Sequence, residues 1–463
     1  MTGERALLID FGSTYTKLRA VDLDEARVTA AGQGPSTVTT DVTIGLEAAL
    51  ADLARHMGGL PAFKHRLASS SAAGGLRMVT IGLVRELTAE AARQAALGAG
   101  AKLVGTFSYR LTEADGRAIA GLAPDILLLA GGTDGGNAEV VSHNARRLAE
   151  LSLACPVVVA CNRDVADDCA EILAAAGQPV TLAQNVMPRF GELDIEPARA
   201  AIRQVFIDRI VHAKGIDRAA EKFDAVLMPT PAAVMDGARL LAEGAGDHAG
   251  LGDLLIVDIG GATTDVHSVA SGNPSREGVV QYGLPEPYVK RTVEGDLGMR
   301  HNAATIVEAA GRERIAERAG IALDEVDRLL AAIAEDVERL PASATERAFD
   351  EALAFAAVRI AVTRHAGTTR VVQTAQGPTV VQTGKDLSRV GTVIGTGGAL
   401  AHGAAPAGIL AAALASPDEP FSLRPSEPRR FLDRDYLLYA AGLLAEVAPE
   451  AAFRLARSSL VPI

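Results

Sequence analysis

Cysteine is scarce in this 463-residue chain: Cys155, Cys161 and Cys169 are its three. They stand six and eight positions apart with no CxxC pair, so they form no zinc template, and an odd number completes no disulfide framework. No apolar run of about 18 residues, the length needed to cross a bilayer, occurs, and no cleavable apolar segment opens the chain. Basic residues are the minority, 45 against 57 acidic, for a formal charge of −12. That balance argues against a general binder of nucleic acid or anionic membrane, and solubility is its simpler explanation. The first strand begins almost at the N-terminus, leaving no room for a targeting sequence. These features together lead us to expect a reducing, cytoplasmic home.

What is present is apolar residues, 48% of the chain, enough at this length for two or more cores. Residues 6 to 22 read as a β-hairpin around Gly12 to Thr14, and Val28 to Ala31 adds a strand. Helical spacing from Ile44 to Met57 is ended by Gly58-Gly59. Strands at Arg66 to Ser71, Met78 to Leu83, Lys102 to Phe107, Asp125 to Ala130 and Pro156 to Cys161 alternate with helices at Thr88 to Ala99, Ala138 to Leu151 and Asp164 to Ala176. This alternation is the α/β signature. Ile202, Val205, Phe206 and Ile210 lie on one face of a helix within Pro197 to Phe223, expected to link or brace two halves. Met228-Pro229-Thr230-Pro231 starts another helix. The glycine-rich Gly244 to Gly252 marks a domain boundary, giving halves at 1–250 and 251–463.

The second half opens on a hairpin at Leu254 to Ala270. Val326, Leu329, Leu330, Ile333, Val337 and Leu340 form a helical stripe with Asp324 placed to cap it. A helix from Glu346 to His365 and strands at Arg370 to Thr374, Thr379 to Thr383 and Arg389 to Ile394 follow. Pro417 to Pro428 reads as an exposed connector, and Leu437 to Leu460 as a terminal helix.

The chemistry lies in a repeated pattern. Leu7-Leu8-Ile9-Asp10-Phe11-Gly12-Ser13-Thr14-Tyr15-Thr16-Lys17 recurs 248 positions later as Leu255-Ile256-Val257-Asp258-Ile259-Gly260-Gly261-Ala262-Thr263-Thr264-Asp265. Each is a buried strand, an Asp-apolar-Gly step, small and hydroxyl residues, then a second strand. Such a turn exposes backbone N–H groups to phosphate oxygens. Asp10 and Asp258 at the strand ends place carboxylates where they can hold Mg²⁺ and orient water, and Lys17 adds a positive charge. Val393-Ile394-Gly395-Thr396-Gly397-Gly398-Ala399-Leu400 supplies a third glycine turn.

A fourth, Ala130-Gly131-Gly132-Thr133-Asp134-Gly135-Gly136-Asn137, reads equally as an anion site at a helix start and as a tight strand-to-helix connection. A Rossmann site is disfavoured because the Gly-x-Gly-x-x-Gly order is absent. Glu294 to Arg300 has the composition of a functional loop or an exposed turn. His267, His301, His365 and His402 lack a ligand pattern, so structural roles are expected.

The three turns resemble the phosphate 1, phosphate 2 and adenosine motifs of the acetate and sugar kinase, Hsp70 and actin superfamily. The resemblance implies an α/β fold of two actin-like ATPase (ribonuclease H-like) halves around an interdomain cleft that binds ATP and Mg²⁺. Gly12, Ser13, Thr14 and Thr16, with Gly260, Gly261, Thr263 and Thr264, would surround the phosphates. Gly395, Thr396, Gly397 and Gly398 would lie against the adenosine. Asp10 and Asp258 would be the Mg²⁺ and water-positioning acids, Asp265 a carboxylate on the metal side, and Lys17 stands at the offset of actin's phosphate-contacting lysine.

Ser69 to Leu76, the Gly131 to Asn137 run, Pro229 to Val234 and Thr292 to Arg300 narrow the likeness. With both phosphate turns they resemble, over essentially the whole chain, the L-protein family encoded beside adenosylcobalamin-dependent glutamate mutase and related aminomutases. That family implies an ATP-dependent reactivating factor, an ATPase acting on a mutase rather than the mutase itself. In keeping, the Asp-x-His-x-x-Gly cobalamin signature is absent. The alternatives are a small-molecule kinase, for which Asp134 and Asp296 are the candidate bases, and an actin-like filament protein.

Overall fold

The computed structural model describes residues 3–12, 15–37, 41–70, 76–151, 153–213, 226–375 and 377–463. It divides into two compact units. One holds Met1–Gly237, Gly283–Pro287 and Tyr439–Leu455, the other Ala238–Tyr282, Tyr288–Leu438 and Ala456–Ile463.

The first unit begins with β1 (Arg5–Phe11), β2 (Tyr15–Asp22) and β3 (Arg27–Pro35) as an antiparallel meander. After the helix Val42–Met57, capped by the Asp41 side chain and closed by Gly58 in the left-handed conformation, β4 (His65–Ser70) lies parallel to β1. A second sheet then interrupts the first. Its strands are β5 (Arg77–Gly82), β6 (Lys102–Ser108), β7 (Ile126–Leu129), β8 (Val157–Val159) and β9 (Val180–Leu182), all parallel in the order β6-β5-β7-β8-β9. Parallel strands joined by helices are buried on both faces, so these strands are apolar without alternation. Leu128 and Val158 face a core shared with Leu7, Ile9 and Phe11. Leu127, Leu129, Val157 and Val159 face a second core that includes all three thiols. β10 (Val226–Pro229) returns to the first sheet beside β4, completing β3-β2-β1-β4-β10.

The second unit starts with a two-residue pair, β11 (Gly244–Ala245) and β12 (His248–Ala249). It then repeats the first sheet's plan. β13 (Leu254–Ile259) and β14 (Thr264–Val269) form the hairpin, and β16 (Val289–Glu294) adds antiparallel to β14. β19 (Thr392–Thr396) and β20 (Arg429–Asp433) add in parallel on the far side of β13, and β21 (Leu460–Pro462) closes the edge. Third-second-first-fourth-fifth is therefore the strand order in both units, the ribonuclease H-like order expected of an actin-like fold. β15 (Val279–Tyr282), β17 (Thr368–Thr374) and β18 (Gly377–Thr383) form a separate three-stranded sheet. The helix Ala344–His365, opened by a Ser343–Glu346 capping box, brings Phe349, Leu353, Val358 and Val362 to the unit's core.

Two expectations are corrected. The stripe from Val326 forms a helix of Leu323–Glu335, with Ala322 at the cap position and Asp324 inside the first turn. Val337 and Leu340 fall outside that helix, and Leu340 is 77% exposed. The terminal segment is two helices, Leu438–Leu444 and Pro449–Ser459, followed by β21. Pro449 has no N–H to continue the preceding helix and suits the first turn of a new one. The helix after Pro197 is described as Glu196–Ala213, and the rest of that expected segment lies outside the described residues. The helix Glu113–Gly121, with its Thr112–Asp115 capping box, went unforeseen.

Candidate functional site

In the first hairpin, register sets the neighbours of the acid. Asp10 faces Lys17 across β2 and Ser69 across β4. Its carboxylate is buried and accepts hydrogen bonds from Ser69 Oγ at 3.0 Å and Thr230 Oγ1 at 2.8 Å. Thr230 reaches it because β10 ends one strand further on, at Pro229. Burial raises the Asp10 pKa, while the two hydroxyls and the charges of Lys17 and Arg19 oppose that rise. Lys17 is exposed. The turn is closed by Gly12 N–H donating to the Tyr15 carbonyl at 3.0 Å, and the Gly12 carbonyl accepts from Ser36 Oγ at 2.7 Å. Ser13 and Thr14 lie outside the described residues, as do Ser71 to Gly75. Thr16 is buried.

The second hairpin has the same closing bond, Gly260 N–H to the Thr263 carbonyl at 2.9 Å. Beyond that its carbonyls are consumed by the segment Gly298 to Asn302. Met299 N–H donates to Gly260 O at 3.1 Å, Arg300 and His301 N–H to Gly261 O at 2.9 and 3.0 Å, and Asn302 Nδ2 to Ala262 O at 3.0 Å. A trans peptide points its N–H opposite to its C=O. Anchoring the Gly260 and Gly261 carbonyls therefore turns the Gly261 and Ala262 amides outward. Both residues are exposed, and neither amide makes a hydrogen bond among the described residues.

Gly298 permits this approach, since a Cβ there would fall 2.3 Å from the Ala262 backbone. Arg300 is pinned by a two-pronged pair with Asp350, and Arg364 pairs with Glu294 and Asp296. The loop whose role the sequence left open is thus a strap under the second turn.

Asp258 faces Asp265 across the hairpin and Thr396 across β19. Unlike Asp10, its carboxylate has no hydrogen bond among the described residues. Burial pushes its pKa up to about 7, with Asp265 and Asp433 adding to the rise and Arg291 opposing it. Asp265 is held by Arg291, with Nε at 2.9 Å and Nη2 at 2.5 Å, and accepts from Thr263 Oγ1 at 2.9 Å. Thr264 is buried and gives its hydroxyl to the Leu297 carbonyl at 2.7 Å.

The third turn lies against this strand. Gly397 has φ +96°, and a Cβ on it would fall 2.2 Å from the Ile259 carbonyl. Gly395 and Thr396 are buried at the end of β19, whereas Gly398 is exposed at the start of a short helix.

The Gly131 to Asn137 run follows β7. Gly131, Gly132 and Gly135 have positive φ. Asp134 accepts from the Arg163 N–H at 3.1 Å and Asn185 Nδ2 at 2.8 Å, and Asn185 also donates to Gly132 O. Its carboxylate is thus engaged by neighbouring loops. His365 bridges Thr292 and Ser268, and burial lowers the His267 pKa to about 4.

The sequence missed Ser69 and Thr230 as partners of Asp10, and Arg291 and Asp433 as neighbours of Asp258. Ser69 and Thr230 do sit in segments that carried the family likeness, but their pairing with Asp10 spans 59 and 220 positions.

Comparison with known proteins settles the family. The MutL protein family matches residues 6–460. A curated relative, "Protein MutL" of Clostridium tetanomorphum, is 46% identical over 458 residues, covering 99% of each chain. The chain belongs to the MutL protein family, the glutamate mutase L-proteins. Solved structures with a likeness include a xylulose kinase from Bifidobacterium adolescentis, 13% identical, covering 100% of this chain and 94% of that one, TM-score 0.34. Another is the ethanolamine utilization protein EutJ from Carboxydothermus hydrogenoformans, 12% identical, covering 98% and 91%, TM-score 0.28. With scores this low, the fold of this L-protein rests on the strand order and register given above.

Proposed function

We propose that this L-protein is an ATP-dependent reactivating factor for an adenosylcobalamin-dependent glutamate mutase or related aminomutase. The observation that carries the nucleotide part is the strapped second turn, with outward amides at Gly261 and Ala262 beside an uncommitted Asp258. Free amides in a turn of small residues are the donor set that phosphate oxygens require. Lys17, exposed beside the first turn, adds a cation. Asp10 and Asp258 would hold Mg²⁺, and Asp265 would stand beside it. Among the described residues no cluster of three His, Cys, Asp or Glu could cage a metal. A carboxylate outside any such cluster suits an ion that keeps several waters and takes the remainder from phosphate. When bound, Mg²⁺ supplies neutralisation of phosphate charge.

Asp258, with no hydrogen bond to its carboxylate among the described residues, would also orient the attacking water. ATP-bound and hydrolysed states with different affinities for the mutase would then drive exchange of damaged cobalamin for intact coenzyme. The family supports the partner.

Of the candidate bases for the kinase reading, Asp134 accepts from the Arg163 N–H and Asn185 Nδ2 on one oxygen, and the Arg364 hydrogen bond holds Asp296 below the usual carboxylate range. Calorimetry with Mg-ATP tests the nucleotide. Co-purification with a cobalamin-dependent mutase, with and without ATP, tests the partner. Absence of Mg-ATP binding would end the ATPase reading, and mutase capture indifferent to nucleotide would end the reactivation reading.

A further inference from the structure

The second unit contains a hollow of about 580 Å³ that the phosphate turns do not use. It lies between the helices Arg312–Ala319 and Ala344–His365 and the residues 405–409. Its floor is small and apolar: Ile315, Ala352, Ala356 and Ile409 are all buried. On one wall the central guanidinium carbon of Arg318 lies over the Phe355 ring, 3.2 Å from its centroid.

The hollow is separate from the strap under the second turn. On the Ala344–His365 helix, Asp350 and Arg364 meet the strap through Arg300, Glu294 and Asp296. Ala348, Ala352, Phe355 and Arg359 line the hollow. At about 100° per residue the two sets lie on opposite sides of the helix. None of residues 258–265, 294–302 or 395–402 lines it.

We propose that this hollow binds a planar aromatic anion at a site distinct from the phosphate turns. Its volume suits a small molecule, and an apolar floor with a few polar groups at the edge is the usual construction of such sites. The Arg318–Phe355 pair puts a guanidinium and an aromatic ring in the lining, both of which attract a second π-system. Arg314, one helical turn before Arg318, makes no ion pair or hydrogen bond among the described residues. Arg359, by contrast, lies 3.7 Å from Glu419. Two acids, Glu317 and Glu351, also line the hollow, and Glu351 is the one whose charge reaches Arg318, so the ligand's negative group belongs beside Arg314, a lining arginine with no acid paired to it among the described residues.

The chain contains no tryptophan, so Phe355→Trp keeps an aromatic platform and installs a single reporter. The full-length protein is titrated with 1-anilinonaphthalene-8-sulfonate and with N-phenyl-1-naphthylamine, the same ring system without the sulfonate. Saturable quenching by the sulfonate is expected. The uncharged ring should bind about tenfold more weakly, and Arg314→Ala should weaken sulfonate binding by a similar factor, as expected on losing one charge-assisted hydrogen bond. Probe fluorescence with the native Phe355 and with Arg314→Ala alone guards against a packing defect introduced by the larger indole, and unchanged thermal unfolding shows that the variants are folded. Equal affinity for the two probes, or indifference to Arg314→Ala, overturns the proposal. Competitive displacement by Mg-ATP overturns it differently, by assigning the hollow to the nucleotide. Failure of Mg-ATP to bind at all would leave the titration intact and touch only the ATPase reading.

Discussion

The two hairpins share a strand order, a register and a closing hydrogen bond, yet their acids live in opposite surroundings. Asp10 is held by two hydroxyls and faces a lysine. Asp258 has neither, and faces Asp265 where the first hairpin has Lys17. Arg291 supplies the compensating charge from β16, but to Asp265 rather than Asp258. The duplicated scaffold therefore carries one fixed carboxylate and one uncommitted one. The same backbone holds one acid gripped by hydroxyls and one without such partners, and only a few neighbours make the difference.

Removing the uncommitted acid should have the largest effect. Asp258→Asn is expected to lower ATP turnover by about 10²-fold or more, the scale of losing a group that positions catalytic charge, while raising stability at alkaline pH. The sign follows from its raised folded pKa. Between the unfolded value of 3.8 and about 7 the folded state binds the extra proton, so stability falls as pH rises through that window. At about 1.4 kcal/mol per unit this is at most of the order of 4 kcal/mol. Thermal unfolding at pH 5 and pH 8 should show the asparagine variant gaining more at pH 8. A parallel pH dependence in both proteins would refute the assignment.

The strap is the next point of difference. Gly298→Ala places a methyl group 2.3 Å from the Ala262 backbone. It should cost about 1–3 kcal/mol, as overpacking does, and weaken Mg-ATP binding by moving the second turn. Unchanged ATP affinity in a destabilised variant would mean that the Gly261 and Ala262 amides do not serve the nucleotide. Arg300→Ala, which leaves the backbone bonds in place and frees Asp350, should have a smaller effect on affinity.

The sequence made the scaffold legible because both hairpins advertise themselves locally: an apolar strand, Asp-apolar-Gly, and hydroxyl residues within eleven positions. Helix ends with side-chain signals were legible too, as at Gly58. The apolar stripe beyond Glu335 misled because periodicity counts Val337 and Leu340 without knowing that Asp336, in extended conformation, has already ended the helix. The environment of each acid was illegible for a different reason. Ser69 and Thr230 reach Asp10 only through parallel pairings of β4 and β10, with a complete five-stranded sheet inserted between them. Likewise the strap's role depends on main-chain bonds from Met299 to His301, which no side-chain pattern encodes.

The finest test of the contrast lies at Thr230. Thr230→Val keeps the side-chain shape and deletes the hydroxyl that donates to Asp10 at 2.8 Å. Ser69 still donates at 3.0 Å, so the carboxylate keeps one partner, and the loss should be about 1–2 kcal/mol. Because that hydroxyl opposes the burial-driven rise in the Asp10 pKa, its removal should raise that pKa further. The added instability should then grow as pH rises, since the folded state would hold the Asp10 proton to higher pH than the unfolded chain. If instead Thr230→Val costs the same at pH 5 and pH 8, the hydroxyl acts through packing alone. Asp10 would then owe its surroundings to Ser69, Lys17 and Arg19, and the first hairpin would lie closer to the second than its hydrogen bonds suggest.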